Sequence, residues 1–243
     1  MKIQHILLVS IALFLLQSCQ EDTQTPTVDV SNIDISTIDW QAHRGGKGLA
    51  PENTVPAFTY AITLPNVKTL ELDVVVSKDS QLVVSHEPWM SANICLKPDG
   101  VKISEAEEKS LNLFEMTYEE IKSYDCGSKP VEGYPDQKKM KTWKPTLESV
   151  VKSVNAYAAQ RELTAPKFNI EIKTAPEGDN VYHPVPEAFA TLLLAEIKKL
   201  RIKKRTTIQS FDVRALQAVH QQDSTFTLAY LLGDSNGLEK DLE

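Results

Sequence analysis

The sequence has no apolar run of the about 20 residues that a membrane-spanning helix requires. Its most apolar stretch, Ile6–Leu16, stops well short of that. Cations are in deficit, with 26 Lys and Arg against 33 Asp and Glu and a net charge of −7. That balance argues against nucleic acid as the main partner, because a phosphate backbone calls for a basic face. The basic stretch from Lys198-Lys199 to Lys203-Lys204-Arg205 reads as the solvated end of a helix. Cysteine is scarce, with three in 243 residues, and neither Cys95 nor Cys126 has a His or Cys at zinc-site spacing. Gly45-Gly46-Lys47-Gly48 lacks the Gly-Lys-Ser/Thr ending of a phosphate loop, so its glycines are read as a tight backbone turn. No short internal repeat is present, which excludes a solenoid. What remains is 42% hydrophobic and 24% charged, enough for one large folded domain or two small ones.

The first residues read as an export signal rather than as part of a fold. Lys2, the apolar run and Gln17-Ser18-Cys19 supply the charged start, apolar core and small-residue cleavage site of a secretory leader over residues 1–18. Leu16-Gln17-Ser18-Cys19 also resembles a bacterial lipobox, which implies a lipidated Cys19 and a protein held in the cell envelope by that anchor alone. The other reading is plain secretion with a coincidental cysteine. Residues 19–36 are polar and read as a tether, leaving 37–243 as the folded domain. Export places Cys95 and Cys126 in an oxidising compartment, where a structural disulfide is favoured over two buried thiols.

Strands and helices alternate along the domain. Strands are expected at Thr37 to Ala42, Thr69 to Ser77, Gln81 to His86, Lys167 to Lys173, Thr206 to Gln209 and Phe226 to Leu231. Helices are expected from Asn53 as cap, from Thr117, from Thr146, from Pro186 to Leu200, and from Asp212 to about Gln221. Leu147, Val150, Val151, Val154 and Ala158 fall at helical spacing and mark a buried stripe. This order predicts an α/β fold with a parallel sheet and outer helices, and the eight-stranded TIM barrel is its closed form. Only six strands are legible, so the expectation is a barrel truncated after the sixth strand. Residues 88–144 break the rhythm and read as an insertion after the third strand, lying over the barrel mouth.

Alternation within strands places the polar residues. Leu70, Leu72, Val74 and Val76 share one face of their strand, and Glu71 and Asp73 share the other. Phe168, Ile170 and Ile172 likewise oppose Glu171 and Lys173. Carboxylates side by side in a barrel interior repel and are costly to desolvate, and a divalent cation removes both problems. Glu71, Asp73 and Glu171 are therefore the expected ligands, and oxygen-only ligation favours Mg²⁺ or Ca²⁺. An acid–Lys173 ion pair is the alternative. Of five histidines, His5 belongs to the leader, and His183 and His220 read as solvated. His43 and His86 end apolar strands and suit general base and general acid, with His43 leaning to the base. Arg44 and Lys173 suit phosphate oxygens. Glu52 either orients Arg44 or serves as a favourable charge near a helix start.

The order of these clusters resembles the glycerophosphodiester phosphodiesterase family. The resemblance rests on Ala42-His43-Arg44-Gly45-Gly46, Pro51-Glu52-Asn53-Thr54, Glu71-Leu72-Asp73-Val74 and Ser85-His86. It continues through Lys144-Pro145-Thr146-Leu147-Glu148, Asn169-Ile170-Glu171-Ile172-Lys173 and Gln209-Ser210-Phe211-Asp212. It implies a TIM barrel, a divalent metal on Glu71, Asp73 and Glu171, and catalytic His43 and His86. The implied reaction begins with attack of a glycerol hydroxyl on phosphorus. The cyclic phosphate is then hydrolysed, giving an alcohol and glycerol 3-phosphate from a small-molecule substrate such as glycerophosphocholine. Two rival expectations stand beside it. One is a phospholipase of the sphingomyelinase D or phosphatidylinositol type, with Trp89, Met90, Ile94 and Phe114 forming an apolar mouth. The other is an inactive truncated barrel. Nothing in the sequence sets an oligomeric state.

Overall fold

The computed structural model describes residues 34–233. The expected leader, Cys19, most of the tether and the segment after Gly233 lie outside the described residues. Residues 34–37 form one 3-10 turn, Ile35–Thr37, closed by the Thr37 N–H donating to the Asp34 carbonyl at 3.0 Å. No helix among the described residues is long and apolar enough to cross a membrane.

From Ile38 onward the chain is one α/β unit. Its strands are β1 (Trp40–Ala42), β2 (Val67–Val76), β3 (Leu82–Val84), β4 (Lys167–Ile172), β5 (Thr206–Ser210) and β6 (Thr227–Tyr230). Its α-helices are α1 (Val55–Ala61), α2 (Tyr118–Lys122), α3 (Leu147–Gln160), α4 (Pro186–Leu200) and α5 (Val213–Gln222). Among the described residues the sheet has six strands. β1, β2, β4, β5 and β6 form one path with parallel pairing throughout, and β3 pairs off that path with β2. This is a (β/α) barrel wall, open among the described residues because β1 and β6 each have one strand neighbour.

The third strand corrects the all-parallel expectation. β2 continues past its last pairing with β4 at Val74, and β3 folds back antiparallel on its tip, with Val74 opposite Val84 and Val76 opposite Leu82. The turn through Asp79 and Ser80 is too short for a crossover, so only a hairpin can form. The fold-back brings Ser85 level with the carboxyl end of β2, where its N–H donates to the Asp73 carbonyl at 3.0 Å.

The outer faces of the strands and the inner faces of the helices make one core. Leu70, Leu72, Phe168, Ile170 and Ile208 meet Phe58, Leu147, Val150, Val154, Phe189 and Leu193 there, all fully buried. Each such side chain contributes about 1.5–3 kcal/mol by leaving water. α3 is capped by Thr146, whose hydroxyl accepts from the Ser149 N–H, and it buries the stripe its spacing predicts. β1 is different: on this edge strand Trp40 is 49% exposed.

The insertion has a core of its own. Met90, Cys95, Ile103, Leu113, Ile121 and Cys126 cluster around Val75 and Val83 of the hairpin, and Cys95 is bonded to Cys126. Val75 shares the face of Glu71 and Asp73 but lies beyond the rim, so this second core sits above the acid row. Thr117 and Glu120 form a reciprocal capping box that starts α2.

Candidate active site

The barrel interior is a polar layer set by strand register. Asp73 lies opposite Glu171 on β4, Glu71 opposite Asn169, and Glu171 opposite Gln209 on β5. Neighbouring inward residues on parallel strands thus bring Glu71, Asp73 and Glu171 together. Each offers an oxygen within 4.8 Å of the others, and all three residues are buried. Below them the Asn169 Nδ2 donates to Gln41 Oε1 (2.9 Å) and Gln209 Oε1 (2.8 Å), and the Gln209 Nε2 donates to Glu71 Oε1 (3.0 Å). This amide layer fixes Glu71 from beneath.

The turn after β1 fixes Glu71 from the side. Arg44, Gly45 and Gly46 have φ of 51°, 76° and 85°, a left-handed run that aims the Arg44 N–H at Glu71 Oε2 (2.7 Å). Gly45 is required there on two counts. Its φ disfavours a side chain, and a Cβ would lie 2.9 Å from the Phe58 ring of α1. The Arg44 guanidinium donates from Nη1 to Glu52 Oε1 (3.0 Å), and its Nε lies 3.7 Å from Asp73 Oδ2. Glu52 therefore orients Arg44. Asn53 is not the helix cap; Thr54 is, accepting from the Ala57 N–H. Asn53 adopts φ 56° and donates from Nδ2 to Asp73 Oδ2 at 2.8 Å. It is a site residue that the capping reading hid.

Lys173 reaches back to Glu171 Oε1 (2.7 Å) and lies 3.9 Å from Asp73 Oδ1. The ion pair considered from sequence is thus present, but it does not neutralise the cluster. Glu52, Glu71, Asp73, Glu87 and Glu171 are five carboxylates, and the cations set among them are Arg44, Lys144 and Lys173. Burial, with Asp73 beside it, pushes the Glu71 carboxyl up to about 8. Burial also raises Glu171, and the Lys173 ammonium offsets only part of that. The buried Arg44 Nε and Asn53 Oδ1 lack hydrogen-bond partners. Buried carboxyls raised by desolvation and by one another, with oxygen donors alone, fit a hard divalent cation.

The histidines flank this cluster. His43 follows β1 directly and keeps one side open to solvent. Partial burial, then the charges of Arg44 and Lys47, hold its imidazole below the ordinary value, which favours the neutral ring. The His86 Nδ1 lies 2.7 Å from Glu87 Oε1, which leaves Nε2 for a substrate. The Glu87 carboxylate is held low by that hydrogen bond. His183 departs from the expected solvation. It is 3% exposed, with Nε2 accepting from the Ala175 N–H (3.1 Å) and Nδ1 donating to the Pro184 carbonyl (3.0 Å). It is a structural residue of its loop. His220 is exposed, as read from sequence.

A cavity of about 420 Å³ opens beside Glu171 and Lys173, bounded by Trp89, Tyr182, Phe211 and Glu177. Met90 is fully buried in the insertion's core, Ile94 packs on that core, and Phe114 packs on the main one. Of the four residues considered for an apolar mouth, Trp89 alone borders the cavity.

The sequence profile described as the Glycerophosphoryl diester phosphodiesterase family matches residues 43–241. A glycerophosphodiester phosphodiesterase of Caldanaerobacter subterraneus is 32% identical over 181 residues, which is 73% of this chain and 60% of that protein. A lysophospholipase D of Rattus norvegicus is 38% identical over 85 residues, 35% of this chain and 23% of that one. The crystal structure of a Silicibacter pomeroyi DSS-3 protein carrying the same family name superposes with a TM-score of 0.72 at 27% identity. The match covers 85% of this chain and 68% of that one. The chain thus spans less than two thirds of these curated relatives' length.

Proposed function

The chain belongs to the glycerophosphoryl diester phosphodiesterase family, and from that membership we propose that it hydrolyses glycerophosphodiesters such as glycerophosphocholine to an alcohol and glycerol 3-phosphate. The observation that carries this reading is the buried Glu71–Asp73–Glu171 cluster, with His43 next to Arg44, whose N–H bonds to Glu71, and His86 next to Ser85, whose N–H bonds to the Asp73 carbonyl. Those three carboxylates would hold Mg²⁺ or Ca²⁺. When bound, such an ion neutralises the acids and draws charge from a phosphoryl oxygen.

The chain's own residues do the rest. Arg44 and Lys173 hold the phosphate oxygens, and Glu52 and Glu171 keep those cations in place. Neutral His43 takes the proton of the substrate's glycerol hydroxyl as that oxygen bonds to phosphorus. His86 gives a proton from Nε2 to the alcohol oxygen as its bond to phosphorus breaks. Water then opens the cyclic phosphate with the proton transfers reversed, and glycerol 3-phosphate leaves. Glu87 keeps the His86 ring oriented throughout.

A second reading, cleavage of an acylated lipid, draws on the likeness to the rat lysophospholipase D. Burial of Met90 and the packing of Ile94 and Phe114 weigh against a wide apolar mouth. Comparing turnover of glycerophosphocholine with that of lyso- and diacyl-phosphatidylcholine separates the two. Faster release of choline from the deacylated substrate is expected, and preference for either acylated lipid would sink the reading. We also propose export, with anchoring at Cys19. The Cys95–Cys126 bond supports this, since such bonds persist in oxidising compartments.

A further inference from the structure

Lys144 is the buried lysine of this fold. It is 4% exposed, and no other lysine or arginine among the described residues is buried. It stands in the segment that returns from the insertion to the barrel, and that segment is stitched to β3. The Val84 N–H donates to the Pro145 carbonyl at 2.7 Å, and Thr146 bridges Val83. The Lys144 Nζ donates to Ser85 Oγ at 2.7 Å, and Ser85 Oγ donates onward to the Glu87 carbonyl at 2.6 Å. His86 lies between those two residues, and its Nδ1 meets the Glu87 carboxylate. The ammonium thus closes a chain of hydrogen bonds around the catalytic turn.

A buried ammonium is an expensive way to hold a loop. Desolvating it costs several kcal/mol, and an apolar side chain of similar size would fill the same space more cheaply. Burial does push the Lys144 amine down to about 8, against the pull of Glu52, Glu87 and Asp73. An amine retained here despite that cost, one hydroxyl away from the turn that carries His86, has a use beyond packing.

We propose that Lys144 is a positioning residue. Through Ser85 it locks the Ser85–His86–Glu87 turn, so that Nδ1 of His86 stays on Glu87 and Nε2 stays free for the substrate. The proposal rests on the functional reading above only in treating His86 as catalytic.

Two measurements on the full chain test it, using Lys144→Met, Ser85→Ala and the double variant. The first is the ring ¹⁵N NMR spectrum of His86, assigned with His86→Asn. At a pH where the ring carries both protons, the wild type is expected to show one Nδ1 resonance shifted by its bond to Glu87, and each single variant a shifted or broadened one. Wild-type shifts in both variants would overturn the proposal. The second is steady-state release of glycerol 3-phosphate. For each single variant kcat should fall about 10–100-fold with KM within about twofold, and the double variant should be no worse. A fall with Lys144→Met but not with Ser85→Ala would overturn it, because the charge would then act directly on the phosphate. A lower melting temperature with kcat intact would also overturn it, as a merely structural role. If the wild type releases no glycerol 3-phosphate, the functional reading fails, and the NMR arm still decides the role of Lys144.

Discussion

Glu71 shows how a single residue reports on the site. Its folded carboxyl is raised to about 8, chiefly by burial. The folded protein therefore binds that proton more tightly than the unfolded chain does. The stability this contributes is fully present below the unfolded pKa and is lost as pH rises through about 8. The free energy of unfolding of chelator-treated wild type, relative to Glu71→Gln, should accordingly fall between pH 5 and pH 8.5. Denaturant titrations across that range check it, and a difference that is flat or rises with pH would contradict the assignment. Glu71, Asp73 and Glu171 were legible in the sequence because they alternate with apolar residues on strands, a pattern that fixes their side of the wall. Asn53, Glu87 and Lys144 were not. Asn53 and Lys144 act through tertiary contacts to Asp73 and Ser85, which are distant in sequence. Glu87 and His183 depend on how a loop closes. Tyr182-His183-Pro184 reads as polar surface, yet the loop turns the ring inward onto Ala175.

At the scale of elements, periodicity decided well and direction poorly. α3, α4 and α5 lie where their apolar spacing and caps place them, and α4 spans Pro186–Leu200 as read. The apolar run of β3 does not give its polarity, because a short apolar run looks the same in either direction. The short turn before it was the available signal. The insertion is the element with its own mechanics. Its core is small, and the bond between Cys95 and Cys126 closes a loop of sequence separation 31. Loop entropy at that length makes the bond worth about 2–4 kcal/mol. The Cys95→Ser, Cys126→Ser double variant should lose about that much, and faster amide exchange should concentrate at residues 88–126, where the small core depends on it. Hydrogen exchange with and without reductant checks this. Uniform loss of protection across α3 and α4 would show that the insertion is not a separate cooperative unit.

For the whole molecule, the open sheet and the length of the relatives belong together as facts. β1 and β6 each have one strand neighbour among the described residues, and the chain spans 60% of the Caldanaerobacter protein. The net charge of −7 suits a pocket whose positive charge is local, from Arg44, Lys173 and the proposed cation, rather than a basic surface. Proposed anchoring at Cys19 predicts that cells expressing the full chain incorporate labelled palmitate into it, and that Cys19→Ser abolishes the label. Retained label in that variant would place the lipid elsewhere. The proposed activity of this barrel wall is that of a metal-dependent phosphodiesterase with His43 and His86 as its base and acid. Its most direct test is glycerol 3-phosphate release from glycerophosphocholine, followed by ³¹P NMR with Mg²⁺ or Ca²⁺ and with EDTA, for wild type, His43→Ala and His86→Ala. Release by the metal-loaded wild type is predicted, with at least about a 100-fold loss in each histidine variant and on chelation. No release by the metal-loaded wild type, or equal release by either histidine variant, would contradict it.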